Sequence, residues 1–351
     1  MKYKSIYVSS LIRELDMRKD YLGGEKIETI YFGGGTPSQL SSADFDRIFN
    51  AIYNTFNVSS DSEITLEANP DDLTSSYVSS LCSLPFNRIS MGIQSFHNED
   101  LHFLNRRHDR EGAIQAVSLC KEKGFENISI DLIYGLPNQT LSAWIDNLEQ
   151  ALSLNVPHVS AYSLIYEEST PLYRLLKSGK IKPVDDDLSL ELYSTLIKRL
   201  TEAGYQHYEI SNFARPGFIS RHNSSYWTEK KYLGIGAAAH SYDLQSRQWN
   251  VSSLPLYIKG IEEGRLNYER EALTDDMKYN DYIITGLRTC WGISLDEISE
   301  KFGEGRLQYC LLMAKPYLES GKLRSENRNF YLTQAGLFVS DSIMTDLLWV
   351  N

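Results

Sequence analysis

Glycine and polar residues follow short apolar runs in the first half of the chain, and their types suit a small charged ligand. Gly33–Gly35 come directly after the apolar segment Ile27–Phe32. Consecutive glycines allow backbone N–H and C=O groups to approach a ligand that side chains would exclude. A glycine triplet alone is equally typical of a tight turn between a strand and a helix, so its meaning depends on the residues around it.

Three further polar side chains occupy comparable positions. Glu67 ends one predicted strand, Gln94 ends the next, and Asp131 lies within a third. Their oxygens can accept hydrogen bonds from an ammonium group and from ribose hydroxyls, and Arg106 can bind a carboxylate through two parallel hydrogen bonds. Each residue alone also has an ordinary role, as a cap, a loop residue or a member of a surface salt bridge. Their convergence predicts a site for a polar ligand.

Such a site needs a scaffold in which the strand ends meet. Strand-like and helix-like segments alternate through the first two thirds of the chain. The predicted strands are Ile27–Phe32, Glu63–Glu67, Arg88–Gln94, Asn127–Ile133, His158–Leu164 and Tyr208–Ile210. A helix with Ser41 or Ser42 as its N-cap is predicted after the first strand. This alternation is typical of a parallel sheet covered by helices, in which loops at the carboxyl ends of the strands hold the chemistry.

The last part of the chain, from about Leu273, shows a different pattern. Helical periodicity is found at 276–289, 294–302 and 306–321. Two short strand-like segments at 322–324 and 330–333 then predict a hairpin around Glu326–Arg328, and a final helix follows. Helices followed by a two-stranded wing predict a winged-helix-like module. In so acidic a chain it is expected to pack or act as a lid, not to read DNA.

Composition excludes several classes of function. The 351 residues carry a formal net charge of -11, which opposes nucleic-acid binding. No apolar run is long enough to span a bilayer, and the N-terminus has no secretory signal, so a cytoplasmic location is expected. The four cysteines are too far apart for a C-x-x-C site and are expected to be buried small hydrophobic residues. They are Cys82, Cys120, Cys290 and Cys310.

Four motifs in a fixed order resemble those of the coproporphyrinogen-oxidase-like group of radical S-adenosylmethionine (SAM) proteins. They are GGGTPS at 33–38, EANP at 67–70, GIQSF at 92–96 and DLIYGLP at 131–137. The resemblance covers essentially the whole chain. It implies an α/β fold, a partial (β/α)6 TIM-like barrel lacking its first strand, with a small C-terminal winged-helix-like α+β domain. The expected domains are the barrel at 1–215, a connecting segment at 216–272 and the C-terminal domain at 273–351.

The resemblance also implies a binding site for S-adenosylmethionine. The implied ligands of its methionyl end are Gly33, Gly34 and Thr36. The implied ligands of its methionine and ribose groups are Glu67, Gln94, Arg106 and Asp131, and the residues that would flank the adenosine are Tyr162 and Leu164.

Proteins of this group hold a [4Fe–4S] cluster on a C-x3-C-x2-C loop, and this sequence has no such loop. No cysteine occurs before Cys82. The chain is expected to be either an N-terminally shortened product or a natural relative without a cluster. The first explanation is favoured because the implied cofactor residues remain. No radical chemistry, catalytic residue or metal ligand is therefore expected in this chain, and the cluster is expected only in a longer form.

The segment His222–Trp227 resembles the H-N-x-x-Y-W motif of the haem-chaperone branch of this group. A histidine beside Tyr226 and Trp227 offers an iron ligand and a flat apolar wall for a porphyrin, although a buried histidine in aromatic packing is the ordinary alternative. His240, in the segment GIGAAAH at 234–240, is a second candidate, unless that segment is a tightly packed loop. His207 is a weaker one.

The branch motif implies a protein that binds haem and delivers it to haem-accepting proteins. The alternative is a SAM-dependent enzyme of porphyrin biosynthesis, an oxygen-independent coproporphyrinogen III oxidase. A third hypothesis is a non-catalytic scaffold without a cluster.

Overall fold

The computed structural model describes residues 4–168 and 170–350 and contains two compact units. One unit comprises Met1–Thr29, Leu40–Ser62 and Arg221–Asn351, and the other comprises Ile30–Gln39 and Glu63–Ser220. Among the described residues, no helix is both long and apolar enough to cross a membrane. The predicted division into three domains stays a prediction.

The structure has the following helices and strands. The helices are α1 (Lys4–Met17), α2 (Ser42–Thr55), α3 (Ser75–Leu81), α4 (Asn98–Phe103), α5 (Arg110–Glu122), α6 (Leu141–Ser153), α7 (Pro171–Lys177), α8 (Asp186–Glu202), α9 (Arg221–Trp227), α10 (Leu254–Glu262), α11 (Asp275–Leu287), α12 (Leu295–Phe302), α13 (Glu304–Glu319), α14 (Gln334–Leu337) and α15 (Ser340–Leu347). The strands are β1 (Ile27–Phe32), β2 (Val58–Ala68), β3 (Arg88–Gln94), β4 (Asn127–Tyr134), β5 (His158–Ser163), β6 (Gln206–Glu209), β7 (Asn212–Ala214), β8 (His240–Tyr242), β9 (Ser246–Asn250), β10 (Tyr268–Ala272), β11 (Ile293–Ser294), β12 (Leu323–Glu326) and β13 (Asn329–Leu332).

The main sheet has seven strands in the order β1-β2-β3-β4-β5-β7-β6, and β2 to β5 run parallel. One face of its central strands is apolar, whereas the other carries polar residues such as Ser90, Asp131 and Ser160. The side chains of Ile89, Ile130 and Val159 are completely buried. The α/β fold class predicted from the sequence is confirmed, and the bounds of β1 and β3 are those predicted.

The far edge of the sheet differs from the simple alternation that the sequence predicts. The predicted strand Tyr208–Ile210 lies slightly earlier, at β6, and forms an antiparallel hairpin with β7. The hairpin inserts β7, antiparallel, between β5 and β6. Only Ile210 and Ser211 separate the two strands. A connection of two residues can only reverse the chain, because a parallel neighbour needs a crossover of a dozen or more residues.

Local capping explains where the helices around the sheet begin. Ser41 caps α2 in a capping box, in which its side chain accepts from the Asp44 backbone and the Asp44 carboxylate accepts from the Ser41 backbone. Asp109 and Thr140 cap α5 and α6 in the same way, each accepting from the backbone N–H three residues later. Each cap satisfies donors that the first helical turn leaves without partners.

The C-terminal segment has the predicted helices and the predicted hairpin. The wing, β12 and β13, turns at Asn327 and Arg328, whose φ angles of 50° and 60° fit the right-handed twist of the two strands. A two-residue strand, β11, joins the wing through Ile293 and was not predicted, because two residues carry no periodicity. The core of this segment is formed by the side chains of Tyr279, Ile283, Leu287, Ile298, Leu307, Cys310, Phe330, Ile343 and Leu347.

A buried polar network joins α1 to distant residues of its unit. The carboxylate of Glu14, which has no exposed surface, accepts from Asn250 Nδ2 at 2.7 Å, Gly236 N at 2.8 Å and Tyr257 Oη at 2.6 Å. It also pairs with Arg18 Nε at 2.9 Å, and Arg18 Nη2 donates to Asn250 Oδ1 at 2.7 Å. The buried charges are therefore both paired and hydrogen-bonded, which is the condition for burying them.

Replacing Glu14 with Ala should lower the free energy of unfolding by about 3–5 kcal/mol, because it leaves Arg18 buried without a counter-charge. Urea unfolding measures the change. Asp16→Ala is the matched control: Asp16 is an exposed carboxylate on the same helix, and its loss should change the free energy by less than about 0.5 kcal/mol. Equal effects of the two substitutions would contradict the assigned role of Glu14.

Candidate functional site

The glycine loop after β1 is held by the carboxylate of Glu67 at the end of β2. Tyr31 Oη donates to Glu67 Oε1 at 2.5 Å, and the backbone N–H of Gly34 donates to Oε2 at 3.0 Å. A Cβ on Gly33 would lie 2.8 Å from Glu67 Cδ and would overlap the Tyr31 ring. Gly34 and Gly35 have φ angles of 72° and 93°, which other residues rarely adopt. Glycine is therefore required at Gly33 by the close contacts and at Gly34 and Gly35 by the backbone conformation.

The end of β3 departs from regular strand geometry at Gln94. Its φ is 71°, and the register against β4 shifts between Met91 and Gln94. A bulge of this kind turns a side chain out of the strand's normal alternation and is common beside functional sites. A Cβ on Gly92 would lie 2.9 Å from Gln94 Nε2. The missing side chain at Gly92 therefore makes room for the amide of Gln94.

Arg106 is oriented by two acceptors, one that directly follows β2 and one near the end of β3. Its Nη2 donates to Asn69 Oδ1 at 2.7 Å and to the carbonyl of Gly92 at 2.8 Å. Among the residues that the structure describes, its Nε and Nη1 have no hydrogen-bond partner. The guanidinium group is therefore fixed on one side and can offer donors to a carboxylate on the other.

Asp131, in β4, is a buried carboxyl close to another acid. Burial first, and then the charge of Glu67, raise its pKa from 3.8 to about 7, although a hydrogen bond with Ser160 and the charge of Arg88 oppose the shift. Tyr162, at the end of β5, keeps 43% of its surface exposed, and burial of its hydroxyl together with Asp131 raises its pKa to about 12. At neutral pH the carboxyl of Asp131 is thus close to its titration point.

Five of the predicted site residues line one open cavity of about 190 Å³ at the carboxyl ends of the parallel strands. They are Thr36, Glu67, Gln94, Arg106 and Asp131. We call this cavity the cradle, and its remaining lining residues are Gly35, Pro37, Ser38, Ala68, Asn69, Ser90 and Gly92. The predicted residues Gly33 and Gly34 lie in the adjoining loop, and Tyr162 and Leu164 lie at and just after the end of β5. None of these four lines the cavity.

Three of the unpredicted lining residues have a signal in the sequence. Ser90 and Gly92 precede Gln94 by four and two residues along β3, a spacing that places side chains on one face of a strand. Asn69 follows Glu67 by the same spacing. Ser38 has no comparable signal, since it lies in a short 3-10 turn, Pro37–Gln39.

His222 lies in the other unit, in α9. Its Nδ1 is 2.9 Å from Thr29 Oγ1, and its Nε2 is 3.0 Å from Tyr226 Oη. Burial lowers its pKa to about 4, so the ring is neutral at physiological pH. The Tyr226 ring lies edge-on to it at 5.2 Å and contacts Tyr232 at 4.9 Å. The residue is thus a neutral, half-buried imidazole among tyrosines.

The rings of the other two histidine candidates, His240 and His207, pack against aromatic side chains. The segment before His240 is a tightly packed loop: a Cβ on Gly234 would overlap the His240 carbonyl, and one on Gly236 would lie 2.6 Å from Tyr7 Oη. The ring of His240 stacks on Trp249 at 6.0 Å. His207 stacks on Phe213 at 4.2 Å, and its Nε2 is 3.1 Å from a backbone carbonyl.

The cysteines do not form a cluster site. Cys120 and Cys310 are buried, as expected, but Cys82 and Cys290 are exposed, so that part of the expectation is wrong. Cys82 lies at the end of a helix, where its thiol reaches backbone carbonyls instead of the core. Within residues 4–168 and 170–350, no group of three histidines, cysteines or acids is arranged to hold a metal ion. The residues present therefore do not fit an iron–sulfur cluster.

Two parts of the chain match known protein families. Residues 3–151 match the radical SAM superfamily, and residues 273–339 match the HemN C-terminal domain. The heme chaperone HemW of Bacillus subtilis (strain 168) is 33% identical over 339 residues, covering 96% of this chain and 89% of that protein. HemW of Lactococcus lactis subsp. lactis (strain IL1403) is 37% identical over 297 residues, covering 84% of this chain and 77% of that protein.

A mitochondrial relative and a solved structure extend the comparison. The mitochondrial radical S-adenosyl methionine domain-containing protein 1 of Bos taurus is 31% identical to this chain. The aligned region covers 93% of this chain and 76% of that protein. Coproporphyrinogen III oxidase (HemN) from Escherichia coli superposes with a TM-score of 0.85 at 24% identity, covering 99% of this chain and 84% of that one. At this identity the superposition establishes a common fold alone.

Replacing Asp131 with Asn should stabilise the protein at high pH. Because its pKa is about 7 in the folded state and 3.8 is its ordinary value, the carboxyl ionises in the unfolded chain but stays protonated in the folded one between about pH 4 and pH 7, and the stability of the fold falls as pH rises through that range. The variant should gain about 2–4 kcal/mol over the unmodified chain at pH 8 and almost nothing at pH 4.

Urea unfolding at the two pH values measures this difference. Asp146→Asn, which removes an exposed carboxylate from α6, should give the same small difference at both pH values. A pH-independent effect of Asp131→Asn would mean that the carboxyl is not perturbed.

Proposed function

The chain belongs to the HemW-type branch of the radical SAM family, and from this we propose that it binds haem and delivers it to target proteins. The observation that carries the proposal is the likeness to proteins named heme chaperone HemW, which extends over 96% of the chain in the B. subtilis comparison. Residues His222, Asn223, Tyr226 and Trp227 supply the branch motif.

The surroundings of His222 support its role as the haem ligand. A neutral imidazole is the form that binds iron, and the lowered pKa of His222 keeps it neutral above about pH 5. If Nδ1–H donates to Thr29, the lone pair resides on Nε2, which then accepts from the Tyr226 hydroxyl. Iron would have to displace that hydroxyl, while Thr29 continued to fix the tautomer and the ring orientation.

The charges of the cradle residues suit S-adenosylmethionine. The ligand carries a sulfonium and an ammonium group as well as one carboxylate, and the cavity is lined by two acids and one arginine. We propose that Arg106 binds the carboxylate, that Glu67 and the glycine loop bind the ammonium group, and that Gln94 and Asp131 bind the ribose hydroxyls. S-adenosylmethionine bound beside a reduced cluster supplies radical chemistry. This sequence has no cysteine triad, and no such step is derived for it.

The [4Fe–4S] cluster and the cytoplasmic location stay predictions. The oxidase alternative has weaker support, because the likeness to coproporphyrinogen III oxidase is a likeness of fold. The cluster-less scaffold also stays a prediction.

Replacing His222 with Ala should weaken hemin binding by at least about tenfold, because the iron would lose its protein ligand. Absorbance titration of the full chain with hemin measures the dissociation constant, and His240→Ala is the matched control because His240 is partly exposed but stacked on Trp249. Tyr226→Phe should bind at least as tightly as the unmodified chain, since it removes the hydroxyl that competes for Nε2. Unchanged binding in His222→Ala would remove His222 from the proposal.

Replacing Arg106 with Lys should weaken the binding of S-adenosylmethionine by about tenfold or more, because an ammonium group cannot form two parallel bonds to a carboxylate. Isothermal titration calorimetry of the full chain measures the affinity. Arg110→Lys is the control, since Arg110 donates to Gln150 and lies outside the cradle. Equal affinities in the two variants would contradict the role given to Arg106.

A further inference from the structure

The carboxylate of Asp72 lies behind the cradle and contacts three of the segments around it. Oδ2 accepts from Ser38 Oγ at 2.6 Å, and Oδ1 accepts from Gln39 Nε2 at 2.8 Å and from Arg107 Nη2 at 3.0 Å. Asn69 Nδ2 lies 3.5 Å from Oδ2. The side chain itself is only 8% exposed. Both oxygens are therefore used, and their donors come from separate parts of the chain.

Two of these donors belong to the wall of the cradle. Ser38 and Asn69 both line the cavity. Asn69 is also the acceptor that orients Arg106, through the bond of 2.7 Å to Nη2. Asp72 is thus connected to the residues that line the cradle along two routes. One runs through Ser38 in the turn Pro37–Gln39, and the other runs through Asn69 to the guanidinium group of Arg106.

The lowered pKa of Asp72 agrees with these hydrogen bonds. Burial alone would raise the pKa of Asp72, but hydrogen bonds from Ser38, Arg107 and Gln39 hold it below its ordinary value. The group is therefore an acceptor throughout the physiological pH range. An amide in its place keeps only one acceptor oxygen, so the donors to the other oxygen would face an NH2 group and those hydrogen bonds would be lost.

We propose that Asp72 is a positioning residue that clamps the turn Pro37–Gln39 and Asn69 against the cradle and so pre-organises the site for S-adenosylmethionine. The inference rests on the proposed binding of that cofactor. Asp72 does not line the cavity. Its effect is on the residues that do, because a binding site loses affinity when the groups that support its lining residues are removed.

Neighbouring Asp71 provides a matched control. It pairs with the same arginine, Arg107, at 2.6 Å, and its other close contact is with His108 at 3.9 Å. It reaches neither Ser38 nor Asn69. Asp71→Asn therefore makes the same chemical change one residue away and leaves the hydrogen bonds of both routes intact, although Asp71 also acts on Arg106 through its charge.

The first measurement needs no cofactor. Hydrogen–deuterium exchange of the full chain should show faster exchange in the peptide spanning 33–39 for Asp72→Asn, by about tenfold, and no change for Asp71→Asn. The relevant amides are those of Gly34 and Gln39, which are bonded to Glu67 and to the Thr36 carbonyl. Unchanged exchange in Asp72→Asn would overturn the clamp whatever the chain binds.

The second measurement is affinity for S-adenosylmethionine by isothermal titration calorimetry. Asp72→Asn should bind about tenfold more weakly, Asp71→Asn within about twofold of the unmodified chain, and Asp72→Glu should recover part of the loss because it restores the charge. Ser38→Ala removes one route only. Its loss should be smaller, and combining it with Asp72→Asn should give less than the sum of the two effects, because both substitutions act on the contact between the turn and residue 72.

The outcomes separate the two proposals. Faster exchange with unchanged affinity in Asp72→Asn would overturn the role in cofactor binding and leave a purely structural clamp. No binding by the unmodified chain would overturn the proposed cofactor, and the exchange measurement would still decide the clamp. Thermal unfolding of every variant identifies a global loss of structure, in which case Ser38→Ala decides the question.

Discussion

The cradle depends on the placement of one carboxylate, that of Glu67. Its two oxygens are taken by the Tyr31 hydroxyl and the Gly34 amide, so the glycine loop cannot move without breaking one of these bonds. The same charge contributes to the raised pKa of Asp131 on the next strand but one. One acid therefore sets both the shape of the loop and the charge of the cavity. The absence of a side chain at Gly33 is the steric condition for this arrangement.

Much of this scaffold follows from short-range patterns in the sequence. Alternating apolar segments indicate the parallel strands, and a serine before an apolar helix indicates the start of α2, because both depend on neighbouring residues. The placement of Glu67, Gln94 and Asp131 near the ends of three strands brings them together in any parallel sheet. For these features, topology converts sequence spacing into spatial proximity.

Other features depend on contacts that no local pattern contains. The left-handed conformation of Gln94 arises from a bulge against β4, and the strand sequence itself does not indicate it. The insertion of β7 beside β5 depends on a hairpin of only two loop residues. Ser38 is held at the cradle by a hydrogen bond that its hydroxyl donates to Asp72, 34 residues away. The packed loop before His240 is likewise set by α1, through Tyr7 and Glu14.

The Glu14 network has a consequence for the order of events during synthesis. Its partners Gly236, Asn250 and Tyr257 follow Glu14 by 222, 236 and 243 residues. At about 5–20 residues per second, a ribosome needs roughly 10–50 s to add them. During that interval the Glu14–Arg18 pair stays hydrated, because the residues that bury it have not yet been made. A nascent chain of this protein thus completes the burial of this charged pair only late in its translation.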